Sequence, residues 1–135
     1  MNRAQAKDAM LELIRVWSSD NKVTVIWPDK DGKPPTGQVP WARVTIKHAT
    51  GGQSSLSDQN GLQRHTYTGT LYVQLFTPKN GGNLSETLSD SLLLSLRHFR
   101  NDTLWFRDIR AIEVGRDGDF FQVNVLTTFT YDDIR

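Results

Sequence analysis

The residues able to do acid–base or metal chemistry are few and scattered. The histidines are His48, His65 and His98. No two have metal-ligand spacing, and none lies in a His-Glu-x-x-His pattern. Asp29-Lys30-Asp31-Gly32 resembles the opening of a calcium loop. The glycine comes too early, however, and Pro40 stands where the closing glutamate belongs. The segment reads as a turn. Paired carboxylates occur at Asp117/Asp119 and Asp132-Asp133. Adjacent residues of a strand point to opposite faces, so Asp132 and Asp133 read as terminal solvation, and Asp117 and Asp119 as turn formers.

Phosphate-binding and nucleophile motifs are also missing. The glycine pairs, Gly51-Gly52 and Gly81-Gly82, give neither a P-loop nor a dinucleotide fingerprint. Gly81-Gly82 precedes a helix start, where an anion can bind, but loop flexibility explains it as well. No serine has a Gly-x-Ser-x-Gly context. A hydrolase reading therefore ranks last. Arg97, His98, Arg100, Arg107 and Arg110 interleave with Phe99, Trp105 and Phe106. That pattern suits a single-stranded nucleic-acid surface, and a small nucleic-acid-binding module using segment 97–110 is the alternative function.

Composition narrows the classes further. The chain has 135 residues, sixteen Lys+Arg against fifteen Asp+Glu, and no cysteine. This length suits one domain that buries about two-thirds of its unfolded surface. Disulfides, cysteine–zinc sites and thiol chemistry are excluded. A near-neutral balance disfavours a general nucleic-acid binder. The apolar runs fall far short of the roughly 20 residues of a membrane helix. The N-terminus lacks a signal-peptide stretch. A soluble, intracellularly made protein with no membrane role and no cofactor is expected.

The elements that would position these residues follow from periodicity. Ala6, Met10, Leu13, Ile14 and Trp17 share a helical face from Arg3 to Ser19. Ser18-Ser19-Asp20-Asn21 reads as a stop. Val23–Trp27 is a short strand, and four of the five prolines follow in a loop over 28–40. Trp41–His48 alternates, with Ala42, Val44 and Ile46 inward. A polar loop spans 49–63. Arg64–Thr77 is the strongest strand, with Tyr67, Gly69, Leu71, Val73 and Leu75 inward. Asn83 and Glu86 form a capping-box pattern for a helix reaching about Arg100. Leu104–Arg107 and Ile109–Gly115 read as two strand segments or one bent strand. Asp117-Gly118 marks a hairpin, and Phe120–Tyr131 is the last strand. The order α-β-β-β-α-β-β predicts an α+β fold, a mostly antiparallel β-sheet with two helices packed on one face.

If helices cover one face only, Trp41, Tyr72, Phe76, Trp105, Phe120 and Leu126 lie on the other. Apolar surface of that kind marks protein contacts, unless a second buried layer or loops folding over the sheet cover it; the first alternative makes these six candidate protein-interface residues.

Segment Arg64-His65-Thr66-Tyr67-Thr68-Gly69-Thr70-Leu71-Tyr72-Val73-Gln74-Leu75-Phe76-Thr77-Pro78, followed by Gly81-Gly82 and Leu84-Ser85-Glu86-Thr87-Leu88-Ser89-Asp90, resembles the tail-terminator proteins of long-tailed bacteriophages. The N-terminal helix and final aromatic strand are also similar, so the likeness spans most of the chain, and one domain over 1–135 is expected. The resemblance implies a structural virion protein. It implies a homo-hexameric ring that caps the tail tube, stops its polymerisation and joins it to the head connector. DNA passes through the lumen without specific binding, and no catalytic site is carried over. The implied location is the head-proximal end of the virion tail, after assembly in the host cytoplasm. The implied partners are further copies of the chain, the tail-tube protein and a connector or neck protein. Gly51, Gly52, Ser54, Ser55, Leu56, Asp58, Gly81 and Gly82 are candidate docking-loop residues. Arg97, Arg100, Arg107 and Arg110 are expected to engage carboxylates or helix ends.

Overall fold

In a computed structural model, the structure describes residues 1–28, 30, 32–53 and 64–134, with 50–53 given as backbone. The first helix, α1, spans Arg3–Asn21. Asn2 accepts from the Gln5 backbone N–H (2.8 Å), and the Gln5 side chain accepts from the Asn2 N–H (2.8 Å). This capping box, readable in the Asn-x-x-Gln spacing, satisfies two otherwise orphan donors. The helix runs through the expected stop. Asn21 Nδ2 donates to the Trp17 carbonyl (2.8 Å), and the left-handed turn falls one residue later at Lys22 (φ 56°).

Three strands follow: β1 (Thr24–Ile26), β2 (Trp41–Gln53) and β3 (Arg64–Pro78). The second helix, α2, spans Leu84–Arg97, and β4 (Leu104–Asp117) and β5 (Phe120–Ile134) end the described chain. The strands form one sheet in the order β1-β2-β3-β5-β4. Only β1–β2 is parallel; β2–β3, β3–β5 and β4–β5 are antiparallel. The fold is thus α+β, with the expected element order.

Register places the core. Ala42 faces Leu75, which faces Val123; Val44 faces Val73, which faces Val125. Against this face pack Ala6, Met10, Ile14 and Trp17 of α1 and Leu88, Leu92 and Leu96 of α2. Each large side chain buried this way contributes about 1.5–3 kcal/mol. Trp17 Nε1 donates to Ser91 Oγ (3.2 Å), linking the helices. Leu94 of α2 lies off this face and is 43% exposed.

Two expectations are corrected at element ends, and one left open between two alternatives is settled. The loop expected from residue 49 starts later, because β2 continues through Gly51 and Gly52 to pair with Tyr67 and Thr66. The bulge between His48 and Thr50 resets the register there. Asn83 makes no side-chain cap, so the Asn83/Glu86 box does not form. The two segments before the hairpin are one strand. Its bend is the bulge between Arg107 and Arg110, where Asp108 takes φ 52° and buried Thr127 donates to the Arg107 carbonyl (2.9 Å).

Candidate assembly surface

The sheet face opposite the helices carries every off-core residue singled out above. Because side chains alternate along a strand, register gives its cross-sheet rows. One row is Trp41–Phe76–Gln122–Gly115, and the next is Arg43–Gln74–Asn124–Ile112. Then come Thr45–Tyr72–Leu126–Arg110 and Lys47–Thr70–Thr128–Arg107. Trp105 lies beyond, opposite Thr130.

The six candidate interface residues divide by burial. Trp41 and Phe76 stack at 4.0 Å and are buried with Ile26 in a small second cluster, against which half-buried Phe120 packs. Gly32 lies against Ile26, so the proline-rich loop folds onto this end of the face. Leu126 is buried between Tyr72 and Arg110 in its row. Tyr72 is half-buried, whereas Trp105 is 40% exposed. Much of the apolar content of this face is therefore covered within the chain. Two exposed residues that the strand pattern did not single out, Ile112 (47%) and Val114 (54%), lie beside Trp105's end of the sheet on β4. Their signal was the edge position of β4, which periodicity along one strand does not reveal.

Of the candidate docking residues, Gly51 and Gly52 sit in β2, and Ser54, Ser55, Leu56 and Asp58 lie outside the described residues. Gly81 and Gly82 form the turn into α2. The Gly81 N–H donates to the Pro78 carbonyl (3.1 Å), and Gly82 holds φ 63°.

The basic segment 97–110 is not one patch. Arg97 lies in the last turn of α2, and Arg100 donates to the Arg97 and Phe99 carbonyls (3.0 and 2.9 Å). Arg110 donates to the Asp108 carbonyl (2.9 Å). The helix-end expectation holds for Arg100, but none of the four arginines pairs with a carboxylate among the described residues. Arg107 and Arg110 instead share the open face with Arg43 and Lys47, and all four are exposed. Arg43 lies over the Trp41 ring (5.8 Å) and Lys47 over Tyr72 (5.9 Å). Three strand spacings separate the two rails, about 14 Å.

The titratable residues serve the framework. His48 Nε2 is 2.9 Å from the Tyr131 hydroxyl, and its ring meets Phe129 edge-on. Burial, then the charge of Arg3, lowers its pKa below the ordinary 6.5. A cleft of about 340 Å³ beside it is lined by Arg3, Lys7, Pro28 and Ile46. The two terminal aspartates are anchored rather than merely solvated. Asp132 accepts from Arg64 (2.6 and 3.1 Å) and Thr66 (2.8 Å). Burial raises its pKa, but these bonds outweigh that and leave it below its ordinary value. Asp133 is buried, 3.8 Å from the Met1 amine. No cluster of metal-ligating side chains occurs among the described residues, and no described helix is long and apolar enough to cross a membrane.

The family comparison decides the class of the chain. A family model described as phage tail terminator protein matches residues 5–126. The chain belongs to this phage tail terminator family. It is thereby a structural component of phage tails, as the Arg64–Pro78 strand and the following helix suggested. One solved structure superposes with a TM-score of 0.59 at 16% identity, covering 90% of this chain and 94% of its own, which shows a shared fold. No curated protein matches the sequence.

Proposed function

We propose that the chain is one protomer, a single domain over 1–135, of a homo-hexameric ring seated on the tail tube. The ring halts tube polymerisation at the head-proximal end and presents a surface to the head connector. DNA passes through its lumen without specific binding. The observation that carries this reading is the family match over residues 5–126. A ring needs two unlike surfaces per protomer, and the sheet offers two different edges, short β1 and long β4. Light scattering and electron microscopy of the protein mixed with tail tubes test it. Six-fold rings at tube ends and arrested tube growth are expected. A strict monomer that neither binds tubes nor limits their length overturns the reading.

The second reading, a nucleic-acid-binding module, keeps Arg107 and Arg110 of segment 97–110 and adds Arg43 and Lys47 from β2. Arg43, Lys47, Arg107 and Arg110 give the open face four cations, none paired with a carboxylate among the described residues, over a polar floor of Thr70, Asn124 and Thr128. A salt-sensitive mobility shift of labelled DNA at physiological salt would favour it.

A further inference from the structure

We propose that the Arg110–Glu113 run of β4 is the seat of a second copy of this chain, and that β1, at the opposite end of the sheet, is what sits on it. The inference rests on the ring reading and names its protomer contact.

The β4 edge is long, at fourteen residues, and among the described residues bears no strand on its outer side. Such an edge presents a row of unpaired backbone donors and acceptors, a template for another strand. It also gathers three exposed large apolar side chains, Trp105, Ile112 and Val114. Two bulges, at Arg107/Arg110 and Glu113/Gly115, interrupt it. They prevent pairing along the whole length and leave two regular runs, Leu104–Arg107 and Arg110–Glu113. The first run is anchored in the core through Leu104, whereas the second is exposed at every residue, Ile112 included.

The other sheet end is close to it in length. β1 has three residues, Thr24–Ile26, and among the described residues is paired on one side only, with β2. An edge this short resists adding long foreign strands but suits a four-residue partner run. The two runs lie at opposite ends of β1-β2-β3-β5-β4 and are unlike each other. A contact between them is heterologous, and it propagates until it closes. A β4–β4 contact would be isologous and would stop at a dimer. Only the first is compatible with a six-membered ring.

The chain has no cysteine, so introduced thiols report without background. Thr24 is exposed in β1, and Ile112 is 47% exposed in β4. The T24C/I112C double variant, treated with a short bis-maleimide, should give a covalent ladder ending at the ring. T24C or I112C alone should give no cross-linked dimer. Ile112→Lys should lower ring formation at least tenfold in light scattering, with an unchanged Tm because the side chain is exposed in the single chain. A cross-linked dimer from I112C alone, or a ring that forms from the double variant without cross-linking, overturns the edge contact and leaves the ring reading standing. A chain that never assembles, alone or on tubes, removes both.

Discussion

Gly69 offers the sharpest test of the packing that holds the sheet in register. A Cβ added there would stand 2.2 Å from the Lys47 carbonyl oxygen and 2.4 Å from Phe129 Cζ. Ordinary contact begins about 1 Å farther out in each case. The Phe129 ring is fully buried in the core, and the Lys47 oxygen belongs to the β2 backbone opposite Thr70. The glycine therefore lets an aromatic ring lie flat across the sheet, an arrangement that compensates for its own weak strand propensity. Gly69→Ala must displace both neighbours. Overpacking costs about 1–3 kcal/mol, and displacement of a strand backbone places this site at the upper end. For a chain of this size about 3 kcal/mol lowers Tm by roughly 10 °C. Thermal unfolding followed by circular dichroism measures it. Phe129→Leu removes one of the two clashes, so the double variant should lose at least about 1 kcal/mol less than the sum of the singles. A Gly69→Ala Tm within about 2 °C of the parent, or strict additivity, would refute the reasoning.

Two further predictions follow from the charges. His48 has a pKa below its unfolded value, so the unfolded state binds the proton more readily. Its contribution to stability is complete above about pH 6.5 and is lost as pH falls below that value toward the folded pKa. His48→Gln, which keeps a hydrogen-bonding group near Tyr131, should flatten the Tm profile between pH 7 and 5. An unchanged slope would assign that pH dependence elsewhere. Asp132, also lowered, acts in a separate window, losing its contribution only as pH falls below about 4. Replacing Arg43, Lys47, Arg107 and Arg110 with alanine should abolish any weak duplex-DNA retention. With all four engaged, log K against log salt should fall with a slope no steeper than about −3.6. A steeper slope, or retention surviving in the quadruple variant, would place the DNA contact on other residues.

Much of this fold was legible because period and face coincide. Leu71, Val73 and Leu75 alternate with Tyr72 and Gln74, and both sets lie where alternation puts them. Ala6, Met10, Ile14 and Trp17 likewise reach the core from one helical face. What was not legible is what a strand's neighbours decide. Trp41 and Phe76 sit off the core face, as their parity dictates, but their burial depends on each other and on Ile26 from a strand fifteen residues earlier in the chain. The exposure of Ile112 and Val114 depends on β4 being last in the sheet, which follows from β5 crossing between β3 and β4. The four-cation patch joins Arg43 and Lys47 to Arg107 and Arg110 across two intervening strands. No linear window contains it.

The same topology explains why a near-neutral chain can still have directional surfaces. β3 and β5 are long, mutually antiparallel and central, so they form the rigid middle of the sheet. Everything placed outside them differs from one side to the other. On one side β2 carries Arg43 and Lys47 and ends at short β1, with Trp41, Phe76 and the proline loop closing the apolar cluster. On the other, β4 carries Arg107 and Arg110 and leaves Trp105, Ile112 and Val114 uncovered. An exposed apolar edge is a liability for a chain that remains alone. In the proposed ring another copy covers it, and the contact is directional because β1, at the other sheet end, is unlike it. On the proposed contact the bulges in β4 have a double role. They limit indiscriminate pairing of the edge, and they set the length of the run that the proposed neighbour would occupy.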